Sequence, residues 1–168
     1  YSGAVANAQA YGLGSIEANT VLLGWPKRRE NRLAYTGMLR DLAAIDRSLL
    51  IVSYDHVRKL GKQRRIDIWW GGLQGNGGLM LLLAYLITAH HEWAEAVVTI
   101  RTVVEDETQR KQAADGIRGV VASARVVAEP VVLLREGRPI AEIMHAESGD
   151  ADLAIAGLGK LVRSWFRT

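Results

Sequence analysis

Short, continuous apolar runs that alternate with longer stretches of helical periodicity constrain this chain more than any other feature. The runs are residues 20–25 (TVLLGW), 49–54 (LLIVSY), 66–70 (IDIWW), 96–104 (AVVTIRTVV), 131–134 (VVLL) and 153–156 (LAIA). A strand with one wet face alternates apolar and polar residues, whereas a strand covered on both faces is apolar throughout. Strands of the second kind, each followed by a helix, predict a mainly parallel sheet in a three-layer α/β/α sandwich. At 168 residues the chain is expected to form a single domain, residues 1–168.

The helical stretches carry their own signals. Residues 2–11 are alanine-rich and favour helix, with Gly12 and Gly14 as its stop. In residues 27–47, Tyr35, Met38, Leu39, Leu42 and Ile45 fall on one face, and Arg32, Arg40 and Asp41 fall elsewhere. The longest apolar run, residues 77–89, is about 13 residues against the roughly 20 a membrane span requires. It reads as a buried core helix that ends near Trp93. Asp106 and Gln109 form an N-cap with its capping-box partner, ahead of Ala113, Ile117, Val120, Val121 and Ala124 at helical spacing. Pro130 lacks a ladder donor, so the firm part of the fifth strand is residues 131–134, near an edge. Pro139 suits the first turn of a short helix bearing Ile140, Ile143 and Met144, with Gly149 as its stop. The basic tail, residues 160–168, carries Trp165 and Phe166 in an amphipathic helical pattern.

The chain contains no cysteine, so disulfides, thiolate metal sites and cysteine catalysis are excluded. A net charge of +3 is too mild for a nucleic-acid footprint unless it is clustered. Two basic clusters exist: Arg28, Arg29 and Arg32, and then Arg58, Lys59, Lys62, Arg64 and Arg65. The second can contact an anionic membrane surface or an acidic partner. No aromatic-interleaved platform accompanies it, and no nucleic-acid partner is expected. The chain opens at Tyr1 without a signal pattern, as expected of a piece of a longer polypeptide.

Enzyme chemistry finds little support. No serine sits in a G-x-S-x-G frame. His90 and His91 are adjacent, so on a helix they point about 100° apart and cannot chelate one ion in the usual way. Neither a metal nor a cofactor is expected. Asp67 is embedded in an apolar strand, where it is expected to face a loop or the exposed side. Trp69 and Trp70 point to opposite faces, with at least one under a helix. The turn GGLQGNGG supplies Gly71, Gly72, Gly75, Gly77 and Gly78, and glycine N–H groups at a helix N-terminus can cradle a phosphate. With Lys160 as the nearby charge, these residues form a candidate nucleotide site. The competing reading is that the glycines let the helix pack tightly on the sheet, and the turn is neither a complete P-loop nor a dinucleotide fingerprint.

Two segments carry a resemblance. Residues 12–26 (GLGSIEANTVLLGWP) and 61–93 (GKQRRIDIWWGGLQGNGGLMLLLAYLITAHHEW) closely resemble the cytoplasmic C-terminal regulatory domain of the cation–chloride cotransporters, in a short prokaryotic-like form. Ala18 stands where that family usually has proline, and Gly71 and Gly72 replace acidic residues often found after the tryptophan strand. The long insertion of animal members is reduced to residues 55–65, so their phosphoregulation is not carried over. The resemblance implies a non-catalytic regulatory and dimerising domain. It would be attached to the transmembrane core of a secondary transporter of the amino acid–polyamine–cation type and lie on the cytoplasmic side of the membrane. The architecture is also similar to the universal stress proteins, whose penultimate strand DADLAIAGL resembles. A free-standing nucleotide-binding protein of that kind is the alternative.

Overall fold

The structure, a computed structural model, describes residues 2–10, 12–13, 16–17, 19–45, 47–71 and 76–157. The chain divides into two compact units, Tyr1–Lys59 and Leu60–Thr168.

In the first unit, helix α1 (Ser2–Ala10) precedes a minimal antiparallel pair, β1 (Gly12–Leu13) and β2 (Ile16–Glu17), which the sequence pattern did not reveal. Strand β3 (Thr20–Gly24) then pairs in parallel with β4 (Ser48–Val52) through the crossover helix α2 (Arg32–Ala44). A short 3-10 turn, Arg29–Asn31, takes the start of the expected helix. The face of α2 read from the sequence is the face it buries. Tyr35, Met38 and Leu42 pack with Val21, Leu23, Leu49 and Ile51 of the strands and with Ala4, Val5 and Ala8 of α1. The Trp25 ring meets Tyr35 edge-on at 6.2 Å, an arrangement favoured by the ring quadrupoles.

The second unit is a four-stranded parallel sheet built from β5 (Arg65–Trp69), β6 (Val97–Val104), β7 (Ala128–Leu134) and β8 (Leu153–Ala156), in the order β7-β6-β5-β8. The connecting helices are α3 (Gly77–Thr88), α4 (Glu107–Ser123) and α5 (Ile140–Ser148). From β5 to β7 the chain steps in one direction, and it then returns to the far side of β5. Right-handed crossovers place helices on opposite faces when the direction reverses. Accordingly α3 and α4 share one face, where Met80, Leu81, Ala84 and Ile117 pack with Ile66, Ile68, Trp70, Val98 and Ile100. Helix α5 lies on the other, joined to Asp67 and Trp69 through Ser148. This is the expected α/β architecture with parallel sheets.

Several local expectations need correction. Strand β7 begins at Ala128 and runs through Pro130, which sits opposite Ile100. It is an edge strand, hydrogen-bonded on one side only, and proline is tolerated there. Helix α3 ends at Thr88, and His91–Trp93 form a separate 3-10 turn. Pro139 is the cap preceding α5 rather than part of its first turn. The α4 cap is as read: the Asp106 carboxylate accepts from the backbone and side-chain N–H groups of Gln109. The amphipathic tail lies outside the described residues.

Candidate functional site

The reversal of strand order falls between β5 and β8. In open α/β sheets the crevice beyond the carboxyl ends of two such strands is the usual ligand site. The described ends of the glycine turn, Gly71 after β5 and Gly77–Gly78 at the start of α3, lie there. Gly77 opens α3, and a Cβ on it would stand 2.6 Å from the Trp70 ring, so only glycine lets the ring seat beneath the helix. That is the tight-packing role. Gly71 and Gly78 border open space. Across the crevice, a Cβ on Gly157 would lie 3.7 Å from Asn76 Cβ and 3.8 Å from Met80 Cε, so the end of β8 abuts the start of α3. Gly72, Gly75 and Lys160 lie outside the described residues.

The opposite face of the sheet holds a cluster that the sequence reading missed. Asp67 does not face a loop or the exposed side; it is fully buried. Position alternation explains this: Ile66 and Ile68 take the α3/α4 face, so Arg65, Asp67 and Trp69 take the face beneath α5. There the Asp67 carboxylate receives Arg65 Nη2 at 3.0 Å, Arg101 Nε at 3.0 Å and the Ser148 hydroxyl at 2.6 Å. Ser148 in turn accepts from Trp69 Nε1 at 2.9 Å. Arg101, itself buried, also donates to Glu147 at 3.0 Å. Arg65 reaches Asp150 at 2.6 Å and the Glu147 carbonyl. The Asp67 hydrogen bond, ahead of the nearby acidic charges, holds the Arg65 pKa above its ordinary value. The charges pair with one another and hold α5 on the sheet, Arg101 Nε meeting Asp67 as an ion pair rather than through a hydrogen bond. A signal did exist in the sequence. Asp67 and Arg101 are opposite charges inside two apolar runs that become neighbouring strands.

The cations of the basic connector have different surroundings. Arg65 is drawn into the buried cluster, and Arg64 pairs with Glu95. Lys62 stands in solvent, as do Arg58 and Lys59 of the first unit. The backbone beneath Lys62, Arg64 and Arg65 is held by one carboxylate, because Asp152 accepts from all three N–H groups at 2.7–3.0 Å. Gly61 makes this possible with a φ of +56°, and a Cβ on it would overlap Asp152. Arg28, Arg29 and Arg32 of the first unit are exposed. Among the described residues, no helix is long and apolar enough to cross a membrane.

Comparison with known proteins gives three findings. A family model described as "Solute carrier family 12" matches residues 29–146, more than half of the chain. A protein named "Potassium/chloride cotransporter 3" from Caenorhabditis elegans is 29% identical over 127 residues; the match takes in 72% of this chain and 12% of that protein. A solved structure titled as the cytoplasmic domain of a prokaryotic cation chloride cotransporter superposes with a TM-score of 0.76 at 22% identity. That superposition covers 92% of this chain and 60% of the other.

Proposed function

Because the chain belongs to solute carrier family 12, we propose that it is a cytosolic, non-catalytic domain of a secondary transporter that couples cation and chloride movement. Its role is regulatory, exerted through contacts with a second copy and with the parent's own transmembrane core. The family match over residues 29–146 carries the reading. The shared fold with a cotransporter's cytoplasmic domain supports it, as does a buried charge cluster whose members are ion-paired with one another. The chain spans only 12% of the curated relative's length, so permeation itself belongs to other parts of such a protein.

The exposed cations Lys62, Arg58 and Lys59 fit a contact with the anionic inner leaflet. Each contributes about 1 kcal/mol at most, and less as salt rises. The deciding experiment uses the parent transporter with and without this domain, read as chloride-dependent rubidium uptake at equal surface expression. Deletion is expected to change the uptake rate several-fold. Uptake unaltered by deletion overturns the regulatory role. Sedimentation equilibrium of the 168-residue chain at tens of micromolar tests the dimer separately, and a monomer throughout removes self-association from the proposal.

A further inference from the structure

Trp70, at the end of β5, borders two cavities. One, of about 350 Å³, is walled by Thr102 and by Ala113, Gly116 and Ile117 of α4. The other, of about 540 Å³, lies between α3 and the end of α4, with Leu81, Leu82, Tyr85 and Val126 on its walls. Trp70 and Val120 line both, so the two join into one groove along α4. Its α4 wall is Ala113, Gly116, Ile117, Val120 and Ser123, a single helix face about 15 Å long. Glycine in a helix interior weakens the helix relative to alanine, and at Gly116 the packing does not require one. A Cβ there would meet nothing within 4 Å, and the same holds for Gly78 on the facing helix. The absent side chains keep the groove open.

We propose that this groove binds a free long-chain fatty acid, with Arg125 holding the carboxylate. Small-molecule sites of about 300–1,000 Å³ are mostly apolar, with a few polar groups that fix orientation. Here the Thr102 and Ser123 hydroxyls are spent on the backbone carbonyls of Trp70 and Val120, at 2.9 and 2.7 Å. Arg125 lines the groove just beyond the end of α4 and is exposed to solvent. Among the described residues of the second unit, every other arginine pairs with a carboxylate. Arg125 has no such partner, so a fixed cation stands uncompensated at the mouth of an apolar groove. A guanidinium presents paired N–H donors that match a carboxylate, which sets the sign and shape of the ligand's head. The wall sets its tail. An extended chain advances about 1.2 Å per bond, so about 15 Å accommodates about 12 carbons. Each methylene that leaves water there raises affinity up to about fourfold.

Calorimetric titration of the 168-residue chain with decanoate is the test. Wild type is expected to bind one equivalent, and hexanoate, four methylenes shorter, to bind at least about tenfold more weakly. Arg125→Gln should weaken decanoate about tenfold while leaving decan-1-ol unchanged, which separates head from tail. Gly116→Leu, whose side chain extends into the groove, should abolish binding of both ligands with the far-ultraviolet circular dichroism unaltered. No heat from decanoate at about 1 mM overturns the proposal, as does decanoate binding that survives both substitutions. Two other occupants would have their own signatures. Self-association that Gly116→Leu abolishes in sedimentation, without decanoate binding, assigns the groove to a second copy. Anionic phospholipid vesicles that bind wild type but not Gly116→Leu, again without decanoate binding, assign it to a membrane surface. Either result overturns the fatty-acid site.

Discussion

The two faces of the four-stranded sheet use opposite chemistry to hold their helices. Beneath α3 and α4 the contacts are Ile66, Ile68, Val98 and Ile100 against Met80, Leu81, Ala84 and Ile117. Each such residue contributes about 1.5–3 kcal/mol by leaving water, and nothing but shape fixes its partner. Beneath α5 the contacts are charged and hydrogen-bonded, centred on one buried carboxylate. The net gain there is smaller, because desolvating the charges offsets much of their attraction. In return, α5 has one acceptable seating, since any other leaves a buried charge unpaired. The apolar face supplies most of the stability, and the polar face supplies register.

That division implies a graded set of outcomes. Removing the shared acceptor, Asp67→Ala, takes a buried carboxylate from both Arg101 and Arg65, which keep Glu147 and Asp150 respectively. It is expected to cost about 4 kcal/mol, more than any single truncation on the apolar face; urea denaturation measures the difference. Ile68→Ala, a cavity in the middle of the apolar face, is expected to cost about 3 kcal/mol in the same assay. If the isoleucine proves the costlier loss, the contrast between the faces is inverted. Gly77→Ala forces a methyl against the Trp70 ring and is expected to lose about 2 kcal/mol. Gly78→Ala, with open space beyond it, should be neutral or slightly stabilising, and thermal melts of the pair separate packing from backbone freedom. Ser148→Ala removes the bridge between Trp69 and Asp67 and should cost about 1 kcal/mol. Near-ultraviolet circular dichroism should then report a looser Trp69.

The smallest effect concerns acid. The Asp106 carboxylate at the head of α4 is held below its ordinary 3.8, first by the Thr108 hydroxyl and then by the Gln109 backbone N–H. A group whose folded pKa is depressed stabilises the fold above its unfolded pKa and loses that contribution as pH falls through the folded one. Stability due to this cap should therefore be intact at pH 5 and decline below about pH 3.8. A pH titration of the melting temperature in wild type and Asp106→Asn should converge in that acidic range. Curves that stay parallel down to pH 2 remove the cap from the account.

The elements were legible where the code is local. Apolar runs marked β3 to β6 and β8, the spacing of Tyr35, Met38 and Leu42 marked α2, and Asp106 marked the start of α4. What was not legible depends on residues far apart in sequence. Asp67 was read as exposed because a lone acid in a strand has no visible partner. Its partners are Arg101 on the next strand and Ser148 on a helix 81 residues away. Likewise, a run of five cations reads as one basic patch until Arg65 turns inward to Asp67 and Asp150. The glycine turn was ambiguous for a different cause. Gly77 is required by the Trp70 ring lying across it, a contact no spacing rule encodes.

The strand order also sets a clock on the ribosome. Strand β8 is the last to be made, yet it lies directly against β5 in register, and its neighbour Asp152 caps the loop before β5 from 87 residues downstream of Arg65. At roughly 5–20 residues per second, β5 emerges about 4–17 s before the strand that covers its flank. Throughout that interval one border of β5 is an unpaired strand edge flanked by tryptophans, a template for pairing with the wrong chain. The nascent domain therefore has its greatest need of a chaperone, or of shelter near the membrane, after β6 and β7 have formed and before β8 arrives.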